Sequence, residues 1–152
     1  MMDDVDRIMG VMDSAFDPHW GEAWTRTQVG DSLVFPTTHY NLIASSGLAP
    51  AEGESAVGFT LVRAAPGEEE LLLIGVTPEM RGQGLGRKLL DSVADQARLR
   101  KAEQVFLEMR ENNPAIDLYR SFGFSPIGRR KNYYRISDGS ILDAITFALP
   151  LT

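Results

Sequence analysis

Apolar residues recur along this chain with two different periods, which divide it into helices and strands. Over residues 3–16 and again over 85–99, apolar side chains are spaced three or four positions apart, which predicts amphipathic helices. A shorter helix is predicted over 25–32. Another begins at Asn112-Asn113-Pro114 and ends at Gly123, because proline favours the first turn of a helix and glycine its C-terminal cap.

Short apolar or alternating runs predict six strands. They cover residues 40–45, 56–62, 71–76, 104–109, 124–134 and 142–149. Asp138-Gly139 is predicted to be the hairpin turn between the last two strands, and Glu68-Glu69-Glu70 to be a solvated entrance to the third. The order α-α-β-β-β-α-β-α-β-β predicts an α/β (α+β) fold in which helices flank a mixed central sheet, within a single domain over residues 1–152.

The composition is ordinary for a soluble globular protein, with 43% hydrophobic and 24% charged residues. No segment approaches the ~18 apolar residues of a membrane span, and the acidic N-terminus does not resemble a signal peptide. A cytoplasmic protein without membrane or direct nucleic-acid contacts is therefore expected. The lack of cysteine excludes disulfides, thiolate metal sites and a cysteine nucleophile. His19 and His39 have no partner pattern, so no metal is expected.

The net charge of −6 is unevenly distributed along the chain. Residues 1–80 contain three Lys or Arg and 13 Asp or Glu, whereas residues 81–135 contain 12 and six, respectively. A basic region suits an anionic ligand, and an acidic region suits a cationic partner. For the acidic region, solvated charges that are uneven by chance remain an equal alternative.

A glycine-rich segment lies between the third predicted strand and the third helix. It consists of Arg81, Gly82, Gln83, Gly84, Leu85, Gly86 and Arg87. Glycine lets the backbone approach a ligand closely, and a helix N-terminus presents unpaired N–H donors, so the segment favours a phosphate or pyrophosphate. The Lys-Ser/Thr pair of a P-loop does not follow the last glycine, and a dinucleotide fold would place its glycines after the first strand. Neither of those two classes fits.

Two motifs resemble those of the GNAT N-acetyltransferases. Arg81 to Gly86 resembles their acetyl-CoA loop, Arg/Gln-x-x-Gly-x-Gly/Ala, and Asn113 to Phe124 resembles a second signature, Asn-x-x-Ala-x-x-Leu-Tyr-x-x-x-Gly-Phe. The resemblance covers roughly residues 5–150 and implies acetyl-CoA as cosubstrate. The residues that it implies for binding are Ile74, Gly75, Val76, Arg81 to Arg87 and Asn113. Between Glu108 and Tyr119 this chain is one residue shorter than is usual in the family, so Asn112 is an alternative to Asn113 as the CoA-binding asparagine.

Three further segments resemble the ribosomal-protein-alanine N-acetyltransferases within this superfamily. They are the strand Leu107-Glu108-Met109-Arg110, the tail Arg129-Arg130-Lys131-Asn132-Tyr133-Tyr134 with Asp138-Gly139 and Asp143-Ala144, and the pair formed by Phe16 and Trp24-Thr25. The resemblance implies acetyl transfer to a protein N-terminal amine, directly within a ternary complex. The implied partner is a basic ribosomal protein that begins with alanine. An α-amine, with a pKa of ~7.7–8.0, needs only modest help from a base.

The resemblance implies catalytic roles for two residues. Glu108 would accept the amine proton and Tyr119 would protonate the leaving thiolate, while a backbone N–H of the strand before the loop could stabilise the oxyanion. The alternatives are a Glu108–Arg110 ion pair and a core aromatic at Tyr119. Asn113 could equally be a helix cap. The candidates for an acceptor groove, with plain packing as their alternative, are Trp20, Trp24, Tyr133 and Tyr134.

Two other functions remain possible from the sequence. One is a small-amine or antibiotic acetyltransferase with the same fold. The other is a non-catalytic acyl-CoA-binding module, which the presence of both Glu108 and Tyr119 disfavours.

Overall fold

The computed structural model describes residues 2–151 and contains the predicted helices and strands in the predicted order. The helices are α1 (Asp4–Ala15), α2 (Arg26–Leu33), α3 (Leu85–Leu99) and α4 (Ile116–Phe122). The strands are β1 (Thr38–Ile43), β2 (Gly58–Ala65), β3 (Glu68–Val76), β4 (Gln104–Arg110), β5 (Ser125–Arg135) and β6 (Ile141–Pro150). Short 3₁₀ turns occupy Pro18–Trp20 and Pro78–Met80.

The six strands form one mixed sheet in the order β1-β2-β3-β4-β6-β5, as the predicted fold class requires. Only the β3–β4 pair is parallel, and its pairing is limited to Glu68–Glu70 with Gln104–Phe106. Beyond these residues β4 continues to pair with β6, and β3 with β2. The second halves of β3 and β4 therefore separate, and a cleft opens in the middle of the sheet.

A β-bulge interrupts β3 inside the cleft-forming half. Leu61 of β2 pairs with Leu73 and Val62 with Leu71, so Leu72 has no partner in the register. A bulge increases the local twist and redirects the side chains that follow it. Ile74, Gly75 and Val76 thus stay paired with β2 while they diverge from β4.

The two faces of the sheet are covered by different helices. One face packs against α3 and α4 in a cluster that includes Leu90, Val105, Tyr119 and Phe147. The other packs against α1 and α2; its cluster is formed by Ile8, Val11, Met12, Val29, Ala56, Phe59, Leu61 and Leu73. The alternation of buried Val105, Leu107 and Met109 in β4 leaves Glu108 on the face of the sheet opposite to α3.

The structure corrects two boundaries predicted from the sequence. The acidic run at 68–70 belongs to β3, and Glu69 is 1% exposed because the guanidinium of Arg100 binds both of its carboxylate oxygens at 2.7 Å. The fourth helix begins at Ile116 and not at Asn112, since a turn held by the Asn113 side chain precedes it. No helix within residues 2–151 has the length and apolar character needed to cross a membrane.

Candidate active site

The glycine loop leads into α3 with a backbone that only glycine adopts readily. Gly82 and Gly84 have φ angles of 78° and 80°, and no atom would lie within 4 Å of a Cβ at either position. Gly84 is the N-cap of α3, and no side chain caps the helix. The first hydrogen bond within the helix runs from the N–H of Lys88 to the carbonyl of Gly84. The backbone N–H groups that precede Lys88 in the first turn therefore remain available to an anion.

Other loop residues make packing contacts and hydrogen bonds within the protein. A Cβ at Gly86 would lie 3.1 Å from Leu118 Cδ2, so this glycine lets α3 approach α4 closely. The Arg87 guanidinium lies 5.3 Å from the ring centre of Phe122 on α4. The Arg81 side chain donates to the carbonyls of Val76 and Ala15, at 3.1 and 2.8 Å, and so joins the end of β3 to the end of α1.

The last residues of β3 contact the end of α1. A Cβ at Gly75 would lie 3.2–3.3 Å from Phe16, Phe59 and Ala15, so a larger residue would require these side chains to shift. The Phe16 ring meets Phe59 edge-on at 6.5 Å. Phe16, which the resemblance singled out, therefore holds α1 against the strand that borders the cleft.

Glu108 lies on β4 beside the cleft, and its side chain is 19% exposed. Its carboxylate oxygen Oε2 is 3.0 Å from Nε of Arg130 on β5. The alternative pairing with Arg110 is therefore wrong. Instead, Arg110 donates to Glu22 at 3.3 Å and to Asn112 at 2.6 Å.

Tyr119 lies on α4 and is 6% exposed. Its ring packs edge-on against Phe124, with a distance of 5.7 Å between ring centres, so it is a core aromatic as the alternative interpretation required. Burial raises the pKa of its hydroxyl well above the usual value, and the charge of Glu22 raises it further. The phenol therefore keeps its proton at every physiological pH.

A segment that precedes α2 reaches across to β4, a contact that the sequence does not predict although Trp20 is a groove candidate. Its Trp20 ring lies 3.8 Å from the guanidinium carbon of Arg110, which is only 5% exposed. Glu22 pairs with the same guanidinium. His19 accepts a hydrogen bond from the Ser137 hydroxyl at its backbone carbonyl, at 2.9 Å. The segment over residues 19–22 thus bridges β4 and the β5–β6 hairpin.

The hairpin places two tyrosines near these carboxylates. Burial raises the pKa of Tyr134 to about 12, and the charges of Glu108 and Glu22 add to the shift. The Tyr133 and Tyr134 rings contact each other edge-on at 5.1 Å. The Asp143 carboxylate accepts a hydrogen bond of 2.9 Å from the backbone N–H of Asn132. This bond stabilises the left-handed conformation of Asn132 (φ 55°), which lies in a bulge of β5.

The remaining predicted site residues have local structural partners. The Trp24 side chain packs against the cluster under α1 and α2. The Asn113 side chain accepts from the N–H of Ala115 at 2.9 Å and closes a turn before α4, whose N-cap is Ala115, so Asn113 is not the helix cap. Residues 2–151 contain no group of three or more His, Asp or Glu side chains arranged to hold a metal ion.

The acetyltransferase (GNAT) family model matches residues 8–124, about three quarters of the sequence. The chain belongs to the GNAT family. This GNAT chain is similar to the N-alpha-acetyltransferase RimI of Mycobacterium tuberculosis, with 39% identity over 118 residues that cover 76% of the chain and 70% of that protein. It is also similar to the ribosomal protein bS18-alanine N-acetyltransferase of Escherichia coli (strain K12), with 40% identity over 95 residues.

The alignment with the Escherichia coli relative covers 62% of this GNAT chain and 64% of the relative, which is just under two thirds of its length. The crystal structure of the ribosomal-protein-S18-alanine N-acetyltransferase from Escherichia coli is similar over 99% of this chain and 91% of that one, with a TM-score of 0.80 and 28% identity. A Salmonella typhimurium acetyltransferase solved with its cofactor acetyl-CoA matches 64% of this chain and 60% of its own, with 27% identity and a TM-score of 0.57.

Proposed function

We propose that this GNAT chain transfers the acetyl group of acetyl-CoA to a protein N-terminal α-amine, with the N-terminal alanine of a ribosomal protein as acceptor. The observation that carries the proposal is the position of Glu108. It is a partly buried carboxylate beside the cleft between β3 and β4, within the electrostatic reach of Tyr134. The functions named for the Mycobacterium tuberculosis and Escherichia coli relatives support the choice of acceptor.

The residues around the cleft fit acetyl-CoA. The uncapped N-terminus of α3, after Gly82 and Gly84, would bind the pyrophosphate through its N–H groups. Where β3 separates from β4, the backbone of residues 74–76 would bind the pantetheine amides and the acetyl carbonyl, as the family resemblance implies. Acetyl-CoA supplies an activated thioester, so the protein has to position the amine and move two protons.

Glu108 and Tyr119 would move these protons. As the amine nitrogen bonds to the thioester carbon, Glu108 accepts a proton from it, directly or through water. The carbon–sulfur bond then breaks, and the sulfur takes a proton from the Tyr119 hydroxyl. Burial raises the pKa of Tyr119, so the phenol is protonated before the step but is a weaker acid, and its proton moves only as negative charge develops on the sulfur. Glu22 contributes to the same rise in pKa.

The acceptor would enter between the 19–22 segment and the β5–β6 hairpin. Trp20, Tyr133 and Tyr134 lie on these two elements and provide aromatic surface for the first residues of a peptide. The excess of acidic residues over positions 1–80 would attract a basic ribosomal protein from solution in the cytoplasm. The rate of acetylation of a basic peptide should therefore fall as the salt concentration rises.

The test is to incubate the protein with acetyl-CoA and peptides that begin with Ala, Ser or Met, and to follow acetylation by mass spectrometry. A peptide with a blocked N-terminus and an internal lysine, and a polyamine, serve as competing acceptors. The Ala peptide should be modified fastest, at its α-amine. Preference for lysine or the polyamine over every free N-terminus would overturn the proposal, and CoA binding without any transfer would indicate a binding module.

Two variants test the catalytic roles. E108Q and Y119F should each lower kcat by about 10²–10⁴-fold, the usual contribution of a positioned acid or base, while acetyl-CoA binding stays nearly unchanged. The matched controls are E70Q and Y40F. E70Q removes a carboxylate on the neighbouring strand β3 that pairs with Arg63, and Y40F removes a hydroxyl that donates to Asp4. If E108Q and Y119F retain the wild-type rate, the roles assigned here are wrong.

A further inference from the structure

The contact between Glu108 and Arg130 puts a cation where the acceptor amine has to bind. Arg130 Nε is 3.0 Å from Glu108 Oε2, the carboxylate proposed to receive the amine proton. An α-amine with a pKa of ~7.7–8.0 is mostly an ammonium ion at pH 7, and like a guanidinium it is a cation that donates hydrogen bonds to a carboxylate. The bound ammonium group releases one proton to water before the neutral nitrogen attacks. In the protein without acceptor, an arginine side chain therefore occupies the charge-binding position of the base.

We propose that Arg130 competes with the acceptor's ammonium group for Glu108 and is displaced when the acceptor binds. The inference rests on the proposed function, and it makes Arg130 a residue that sets the acceptor affinity. The other arginine beside the cleft, Arg110, differs from it because Arg110 is buried and held by Glu22, Asn112 and Trp20.

The surroundings of Arg130 allow it to leave. Its side chain is 62% exposed, so water can solvate the guanidinium once the ion pair opens. Arg110 and Arg129 donate aligned hydrogen bonds to their carboxylates, whereas Arg130 meets Glu108 as a charge contact alone among the described residues. The guanidinium carbon also lies 5.1 Å from the centre of the Tyr133 ring, and the side chain can keep this contact when the ion pair opens.

The backbone beneath Arg130 is irregular as well. The β5–β6 register shifts between Arg130 and Tyr134, and Asn132 within this bulge has a positive φ. The side chain is thus carried at the start of a bulge on an edge strand, where a small backbone adjustment moves it without breaking a continuous ladder.

The competition has a measurable size. If the competent state is the one with Arg130 displaced, the apparent dissociation constant of the acceptor exceeds the intrinsic one by the inverse of the displaced fraction. An exposed ion pair of this kind shifts such an equilibrium by up to about fivefold. R130Q should therefore lower KM for the acceptor by about two- to fivefold, with a smaller change in kcat.

The experiment compares wild type, R130Q, R130K and K131Q. K131Q makes the same change in net charge at the next residue, whose side chain is exposed, and should leave KM within the error of the wild type. R130K retains a cation and should stay closer to wild type than R130Q does. The same order is expected for binding of an Ala peptide to the CoA-loaded proteins by isothermal titration calorimetry.

Three results would overturn the inference. An increase in KM for R130Q would mean that Arg130 binds the acceptor. A loss of kcat at constant KM would mean that it orients Glu108. Equal effects of R130Q and K131Q would mean that only net charge matters. If the wild type acetylates no N-terminal peptide but R130Q binds the Ala peptide more tightly than K131Q does, the proposed function fails and the competition stands. If the wild type acetylates the Ala peptide but R130Q changes neither KM nor peptide binding, the proposed function stands and the competition fails.

Discussion

Removing the positive charge of Arg100 should destabilise the fold more than removing any exposed arginine. Glu69 is almost fully buried, and Arg100 is its bidentate partner at the end of α3, with a side chain 31% exposed. An R100M substitution keeps most of the aliphatic stem but leaves a buried carboxylate without a partner. Such a loss costs 3–5 kcal/mol in buried pairs, and the partial exposure of Arg100 places the expected cost near the lower limit, at about 3 kcal/mol.

The neighbouring ion pair provides the control. Arg63 pairs with Glu70, the next residue of β3, but its side chain is 61% exposed, so R63M should cost less than about 1 kcal/mol. Urea denaturation followed by circular dichroism gives both free energies of unfolding, and thermal denaturation should place R100M about 6–12 °C below wild type. Equal losses for R100M and R63M would refute the argument from burial.

The double variant E69Q/R100M separates the charge from the packing. Because it removes the buried carboxylate charge together with its partner, it should recover part of the stability that R100M loses. A double variant that is less stable than R100M by the full cost of E69Q would mean that the two side chains do not interact.

Three other outcomes follow from the structure. Burial lowers the pKa of His39, so the imidazole takes up a proton at a higher pH in the unfolded chain than in the folded protein. The contribution of neutral His39 to the free energy of unfolding should be complete above about pH 6.5 and should be lost as the pH falls through the folded pKa. H39Q should make the free energy of unfolding, measured by urea denaturation, less dependent on pH over this range. G84A should cost about 1–2 kcal/mol at its φ of 80° and weaken CoA binding measured by calorimetry, whereas G10A, in open space on α1, should stabilise slightly; equal effects would contradict the backbone argument. D143N should raise KM for the peptide by loosening the β5 bulge, and an unchanged KM would contradict that role.

The sequence predicted the elements and their order because their periodicities are set by local geometry. The six strands and four helices all occur. The sequence also predicted that the helix after the glycine loop ends at Leu99. Such features depend on which residues face the core, and a pattern of apolar positions contains that information.

Partners of charged side chains could not be predicted in the same way. The acidic run that includes Glu69 was expected to be solvated, but the end of α3 brings Arg100 to it from 31 positions away. Likewise, the sequence offers Arg110, two residues along the same strand, as the alternative partner of Glu108, whereas the carboxylate meets Arg130 across β6. Which cation reaches a carboxylate depends on strand order, and no local period encodes strand order.

Glu22 illustrates how far a local pattern can mislead about a site. In the sequence, the residues between α1 and α2 offer two tryptophans, and both are candidates for an acceptor groove. In the fold, Trp24 packs into the core under α1 and α2, whereas Trp20 stacks on Arg110. Glu22, which no motif marked, is the carboxylate that neutralises this buried arginine and acts electrostatically on Tyr119 and Tyr134. A buried cation requires such a partner, so Arg110, which shares the Glu108 face of β4, was the signal that could have led to it.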